Sequence, residues 1–239
     1  MNLAVDYKVL KAFESLFSNV PYHHRNSTHG DHVASFLLDD LHGLGRSPKL
    51  RAAIDAQDLV LNVANRTVGL SHRRGDGTFG TIVPGEVAIK LAGYVVSLGE
   101  VANIHLGAEV KILAKAMIKQ LDRVGSDMEN QAIEFRKHGN QPICVGIVAV
   151  NHAPVYTSFE GERTWPTDGK RYKHPIQEAA IAEQRLLTRV RDRFDEVICL
   201  RFVATNVVPF HFGWLAKTDT VKQYGAALVR LSALCEKRL

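Results

Sequence analysis

The stretch from Ala102 to Ile112, Ala-Asn-Ile-His-Leu-Gly-Ala-Glu-Val-Lys-Ile, constrains this chain most. Ala102, Ile104, Leu106, Ala108 and Val110 alternate with Asn103, His105, Gly107, Glu109 and Lys111. A period of two marks a half-buried strand. Its polar face ends in a carboxylate and an ammonium two residues apart, so both project into the same space. Such a strand end offers a hard oxygen ligand for Mg²⁺ and a cation that orients water beside a phosphate. An ordinary surface ion pair has the same spelling, so the setting has to decide.

The setting is a chain of 239 residues, 46% hydrophobic and 23% charged. That composition predicts one globular domain, residues 1–239, with a sizeable core. No apolar run is long enough for a transmembrane helix, and Met1 to Lys8 lacks the pattern of a signal peptide. The three cysteines, Cys144, Cys199 and Cys235, form no Cys-x-x-Cys pair and read as buried thiols of a reducing, cytoplasmic compartment. The formal charge of +5 favours an anionic partner, nucleic acid before others; the lack of a long apolar run predicts no membrane partner.

Periodicity divides the chain into an N-terminal helical part, 1–57, and a core with a C-terminal helix, 58–239. Helical spacing is predicted over Asp6–Phe17, then after Asp31 as N-cap, then from Ser47-Pro48. The intervening His23, His24 and His29 read as solvated loop residues. Short strands are predicted at Leu59–Val63, around Thr67–Leu70, at Thr81–Val83 and at Tyr94–Ser97. The turn His72-Arg-Arg-Gly-Asp-Gly-Thr-Phe-Gly80 sets Asp76 between glycines, where a hairpin turn and a catalytic role fit equally. A helix is predicted from Ile112 to His138, stopped by Gly139-Asn140, with Lys111, Lys115, Lys119 and Arg123 at helical spacing. Ile143–Val150 is apolar on both faces, as in a central strand. A long loop, Thr157–His174, mixes Phe159, Trp165 and Tyr172 with Arg163, Lys170, Arg171 and Lys173, a composition suited to nucleic acid. A helix over Pro175–Phe194, a strand over Glu196–Ala204, an irregular stretch 206–214 and a helix capped by Thr218 or Asp219 complete the chain. The order predicts an α/β fold with a mixed central sheet flanked by helices.

On these residues the chain resembles the PD-(D/E)XK, restriction-endonuclease-like, nucleases. That family has a mixed sheet flanked by helices, an acid early in a strand meander and Glu-x-Lys at the end of a later strand. Glu109 and Lys111 match the second half of the motif. Asp76, about 30 residues upstream, matches the first; Glu86 and Glu100 are the rival acids. The departure is Gly75, where the name-giving proline would stand. The resemblance implies that Asp76, Glu109 and the Val110 carbonyl hold Mg²⁺, for which Mn²⁺ can substitute, and that Lys111 positions the attacking water. It implies a double-stranded DNA substrate, contacted by Lys115, Lys119, Arg123 and the basic loop, and a homodimer of the restriction-enzyme type. Gln120 is a further candidate at the site, and Asp31 or Glu14 an extra acid. A defence or repair nuclease belongs to the same reading. The competing classes are a non-cutting DNA-binding module of the same fold and an unrelated α/β enzyme. The second would want Gly-x-Ser-x-Gly, a Walker loop or Gly-x-Gly-x-x-Gly, and none is present.

Overall fold

The computed structural model describes residues 6–239 except 25, 27, 63–65, 68, 69, 72–74, 116, 138–140 and 171–174. The expectations for Val63, for His72–Arg74, for the Gly139-Asn140 helix stop and for Arg171, Tyr172, Lys173 and His174 therefore lie outside the described residues. In chain order the elements are α1 (Lys8–Ser15), α2 (Thr28–Ala34), α3 (Leu37–Leu44), α4 (Pro48–Asp55), β1 (Leu59–Asn62), β2 (Arg66–Thr67), β3 (Leu70–Ser71), β4 (Gly77–Ile82), β5 (Leu98–Gly99) and β6 (Val101–Leu113). Then follow α5 (Met117–Lys137), β7 (Ile143–Asn151), β8 (Tyr156–Glu160), β9 (Arg163–Thr167), α6 (Pro175–Val190), β10 (Glu196–Ala204), β11 (Phe212–Trp214) and α7 (Lys217–Arg238).

The fold is α/β. A seven-stranded mixed sheet runs in the order β11-β10-β7-β6-β4-β1-β5. β1, β4 and β6 form an antiparallel meander, after which β6, β7 and β10 are parallel. Every residue of β7 is buried, as its two-sided apolar sequence requires. One core joins α1–α4 and α7 to the inner face through Phe13, Leu37, Val110, Ile147 and Leu231. A second joins α5 and α6 to the outer face through Met128, Phe135, Val148 and Leu186. Among the described residues no helix is long and apolar enough to cross a membrane.

Several predicted elements are corrected. β6 continues through Ile112 and Leu113, which pair with Ala149 and Val150 of β7, so α5 begins at Met117 and not at Ile112. Tyr94–Ser97 is not a strand: the Asp39 carboxylate of α3 accepts the N–H groups of Val95 and Val96 that a ladder would use. Asp31 lies within the first turn of α2, and the Asn26 side chain accepts the Thr28 N–H before it. The predicted loop after Thr157 holds the antiparallel hairpin β8–β9, turned at Gly161 with φ +60°. Part of 206–214 is β11, paired with β10.

Asn206 ties two regions together that matter below. Its φ is +57°, a left-handed conformation that Asn tolerates better than most residues. Its side chain accepts from Tyr22 N–H at 2.8 Å and donates to the carbonyls of Tyr22 and Thr157 at 3.0 and 2.8 Å. Tyr22 and the β8–β9 hairpin are thereby held to one point.

Candidate active site

β4 starts at Gly77, opposite Ala108 of β6. Beyond Ala108, no described strand pairs with β6 on that edge. The N–H of Val110 points into the gap and donates to Asp76 Oδ2 at 2.7 Å. The N–H and C=O of one strand residue face the same edge, so the Val110 carbonyl is directed to the Asp76 side as well. Glu109 and Lys111 flank it on the polar face, with Lys111 Nζ 2.5 Å from Glu109 Oε1. Glu109 is 6% exposed.

Glycines make room for this arrangement. Gly75 has φ +70°, and a Cβ there would stand 2.5 Å from Phe135 Cζ of α5. Proline, fixed near about −65°, cannot adopt that backbone. Gly30 of α2 lies against Asp76 itself: a Cβ would come within 2.4–2.7 Å of the carboxylate atoms.

Burial, then the charge of Glu109, push the Asp76 carboxyl up to about 7. The Val110 N–H and Lys111 act against them, and Asp31 adds to the rise. Burial lowers the Lys111 pKa, but the charge and hydrogen bond of Glu109, with Asp76 and Asp127, outweigh it and raise the value. The two carboxylates therefore share one electrostatic environment with the Lys111 cation. Among the described residues no three His, Cys, Asp or Glu side chains come together as a metal-holding group. The donor set is two carboxylates and a main-chain oxygen. Mg²⁺ fits such a set, since it takes one or two carboxylates and completes its shell with water and substrate phosphate.

A cleft of about 1450 Å³ opens over this strand end, and the buried Glu109 is not among the residues that line it. Asp76, Val110 and Lys111 line it, and so do Lys115, Lys119, Gln120, Arg123 and Arg163. Lys119, Arg123 and Arg163 are exposed. Lys115 is not: it is 8% exposed, 2.9 Å from Glu160 Oε1, and its ammonium sits 4.4 Å from the Trp165 ring centroid. It precedes α5 and so does not belong to a helical stripe with Lys119 and Arg123. Gln120 donates to the Lys115 carbonyl at 3.1 Å. Lys170 is exposed and not among the cleft residues.

Glu86 and Glu100 are exposed, and Glu100 precedes β6, at its far end from Glu109. Nine residues of strand amount to about 30 Å. Neither rival acid reaches the site. Glu14 is exposed on α1 and does not line the cleft, whereas Asp31 is close enough to raise Asp76. Sequence reasoning passed over Gly30, Glu160 and the His24–Glu160 contact at 2.5 Å. None carries a local signal: Gly30 reads as the last loop residue before an Asp31 N-cap, whereas it lies inside α2. Comparison with protein-family models, with curated proteins and with solved structures finds no match for this chain.

Proposed function

We propose that the protein is a Mg²⁺-dependent DNA endonuclease of the PD-(D/E)XK kind, serving defence or repair. The observation that carries this reading is the convergence of Asp76 on the Glu109–Val110–Lys111 strand end at the floor of a cleft that Asp76, Val110 and Lys111 line with Lys119, Arg123 and Arg163. The element order supports it: an antiparallel meander, a helix, then a buried parallel strand.

Asp76, Glu109 and the Val110 carbonyl would hold the ion. When bound, Mg²⁺ supplies positive charge beside the scissile phosphate. Lys119, Arg123 and Arg163 attract the backbone and fix its path. Lys111 is anchored by Glu109, so its remaining N–H groups hold a water in line with phosphorus. The water oxygen gives up a proton to solvent and bonds to phosphorus as the bond to the leaving oxygen breaks; the leaving oxygen takes a proton from solvent, leaving a phosphate end and a hydroxyl end. Lys111 also offsets the negative charge that builds on the phosphoryl oxygens. Mn²⁺ is expected to replace Mg²⁺.

The test is incubation of the purified protein with plasmid and with oligonucleotides, in Mg²⁺, in Mn²⁺ and in EDTA. Cleavage with either metal and none in EDTA supports the reading. Binding without cleavage under every condition replaces it by the non-cutting module.

A further inference from the structure

β9 carries Arg163, Trp165 and Thr167 at alternate positions. Alternate residues project from one strand face, about 7 Å apart. All three line the cleft. Trp165 is half-buried, and the Lys115 ammonium holds its ring by the attraction between a cation and an aromatic face. Lys115 is bound in turn to Glu160, and Glu160 to His24. This bridge joins the end of β6, the β8–β9 hairpin and the 22–30 segment. The indole is thus oriented in advance, which lowers the ordering cost for a ligand that stacks on it. Also lining the cleft, His29 stacks at 4.8 Å on Tyr22, which is itself buried against Phe17.

Oriented rings in a basic cleft suit an unpaired nucleotide. Bases inside a duplex have both faces covered by their neighbours, whereas an unpaired base offers a face to an aromatic side chain while its backbone follows the cations. The depth of the site points the same way. Glu109 is almost wholly buried, so the phosphate must descend to it. A lone strand does so without disturbing any base pair.

We propose that the cleft takes an unpaired DNA strand, one base stacked on Trp165 and the adjoining phosphates on Arg163, Lys119 and Arg123, and that single-stranded or splayed DNA is cut in preference to intact duplex. This rests on the nuclease reading above and names its substrate.

The chain has two tryptophans, and Trp214 lies apart, packed on Phe13 and Phe212. A Trp214→Phe protein therefore reports Trp165 emission alone. In EDTA, oligothymidylate is expected to quench that emission and to bind at least about tenfold more tightly than its duplex with oligodeoxyadenylate. Trp165→Ala should weaken binding of the strand roughly ten- to a hundredfold and leave duplex binding nearly unchanged. Trp165→Phe should keep most of the affinity. Thermal unfolding of each variant guards against loss of fold, and Trp165→Phe carries the test if Trp165→Ala unfolds. Equal binding of strand and duplex, absence of quenching, or equal loss of both in Trp165→Ala would overturn the proposal. Quenching and strand preference without any Mg²⁺-dependent cleavage would support the strand cleft and remove the nuclease. Duplex cleavage as fast as strand cleavage would do the reverse.

Discussion

The Asp76 carboxylate accepts the main-chain N–H of Val110 at 2.7 Å and so caps the edge of β6 where β4 has not yet begun. One hydrogen bond thus aligns the upstream acid with the Glu-x-Lys strand end. Burial and the charge of Glu109 outweigh that bond and set the sign of the protein's response to pH.

Asp76 keeps its proton up to about pH 7 in the folded chain, against 3.8 for the ordinary group. The folded state then binds that proton more tightly than the unfolded state. Stability falls as pH rises from about 4 to about 7, and the loss is complete above 7. Asp76→Asn retains an acceptor for Val110 and removes the charge. Without metal, at pH 8, it should be more stable than the parent by on the order of 2 kcal/mol, and the difference should vanish toward pH 4. Thermal unfolding in EDTA across this range measures it, and a difference independent of pH contradicts it. Because metal must displace the proton, Mg²⁺ affinity should climb through the same window.

Lys111→Ala takes the counter-charge from a buried Glu109 that already faces Asp76. The metal-free variant should lose about 1–3 kcal/mol at pH 8, because a buried carboxylate is left without its partner. Mg²⁺ should return part of that loss by taking the place of the ammonium. Denaturant titrations with and without Mg²⁺ distinguish this from a surface pair, for which the change stays below about 0.5 kcal/mol and is indifferent to metal.

Gly30→Ala should raise helix propensity in α2 by about 1 kcal/mol, yet push a methyl group into the Asp76 carboxylate. The expected outcome is a folded protein whose Mg²⁺-dependent cleavage falls at least about tenfold through displacement of one ligand group. Cleavage and circular dichroism on the same preparation check it. Full activity would mean that Asp76 moves without consequence.

Much of this site was legible in the sequence because strand alternation reports on side-chain direction. The Glu109/Lys111 pairing, the central strand β7 and the α/β order follow from period alone. Element ends did not. Ile112 and Leu113 suit a strand or a helix, and their pairing with β7 decides. Val95 and Val96 look like a strand, but a carboxylate from 56 and 57 positions away takes their N–H groups. Phe159 and Trp165 looked like loop aromatics, since local composition gives no register for a hairpin. The engagement of Lys115 by Glu160 depends on the hairpin and was invisible for the same reason.

That engagement separates the basic residues into two kinds. Lys119 is exposed, so Lys119→Ala should weaken DNA binding and lower the salt slope by about 1; Arg123, exposed but paired with Asp127 at 3.2 Å, should lower it by less on change to Ala. The Lys115 charge is already neutralised by Glu160. Lys115→Ala should leave the salt slope nearly unchanged and loosen the hairpin, seen as faster amide exchange at β8–β9. A salt slope reduced as much as in Lys119→Ala would contradict this division.

The central claim is that Asp76, Glu109 and Lys111 form one metal-dependent phosphodiester-cutting centre. The direct measurement is the rate of oligonucleotide cleavage, under excess enzyme and saturating Mg²⁺, for the parent, Glu109→Gln and Lys111→Met, each shown to be folded. The account predicts cutting by the parent, none in EDTA, and a loss of at least about a hundredfold in both variants. Cutting by either variant at the parent rate, or a folded parent that cuts no DNA with Mg²⁺ or Mn²⁺, would contradict it.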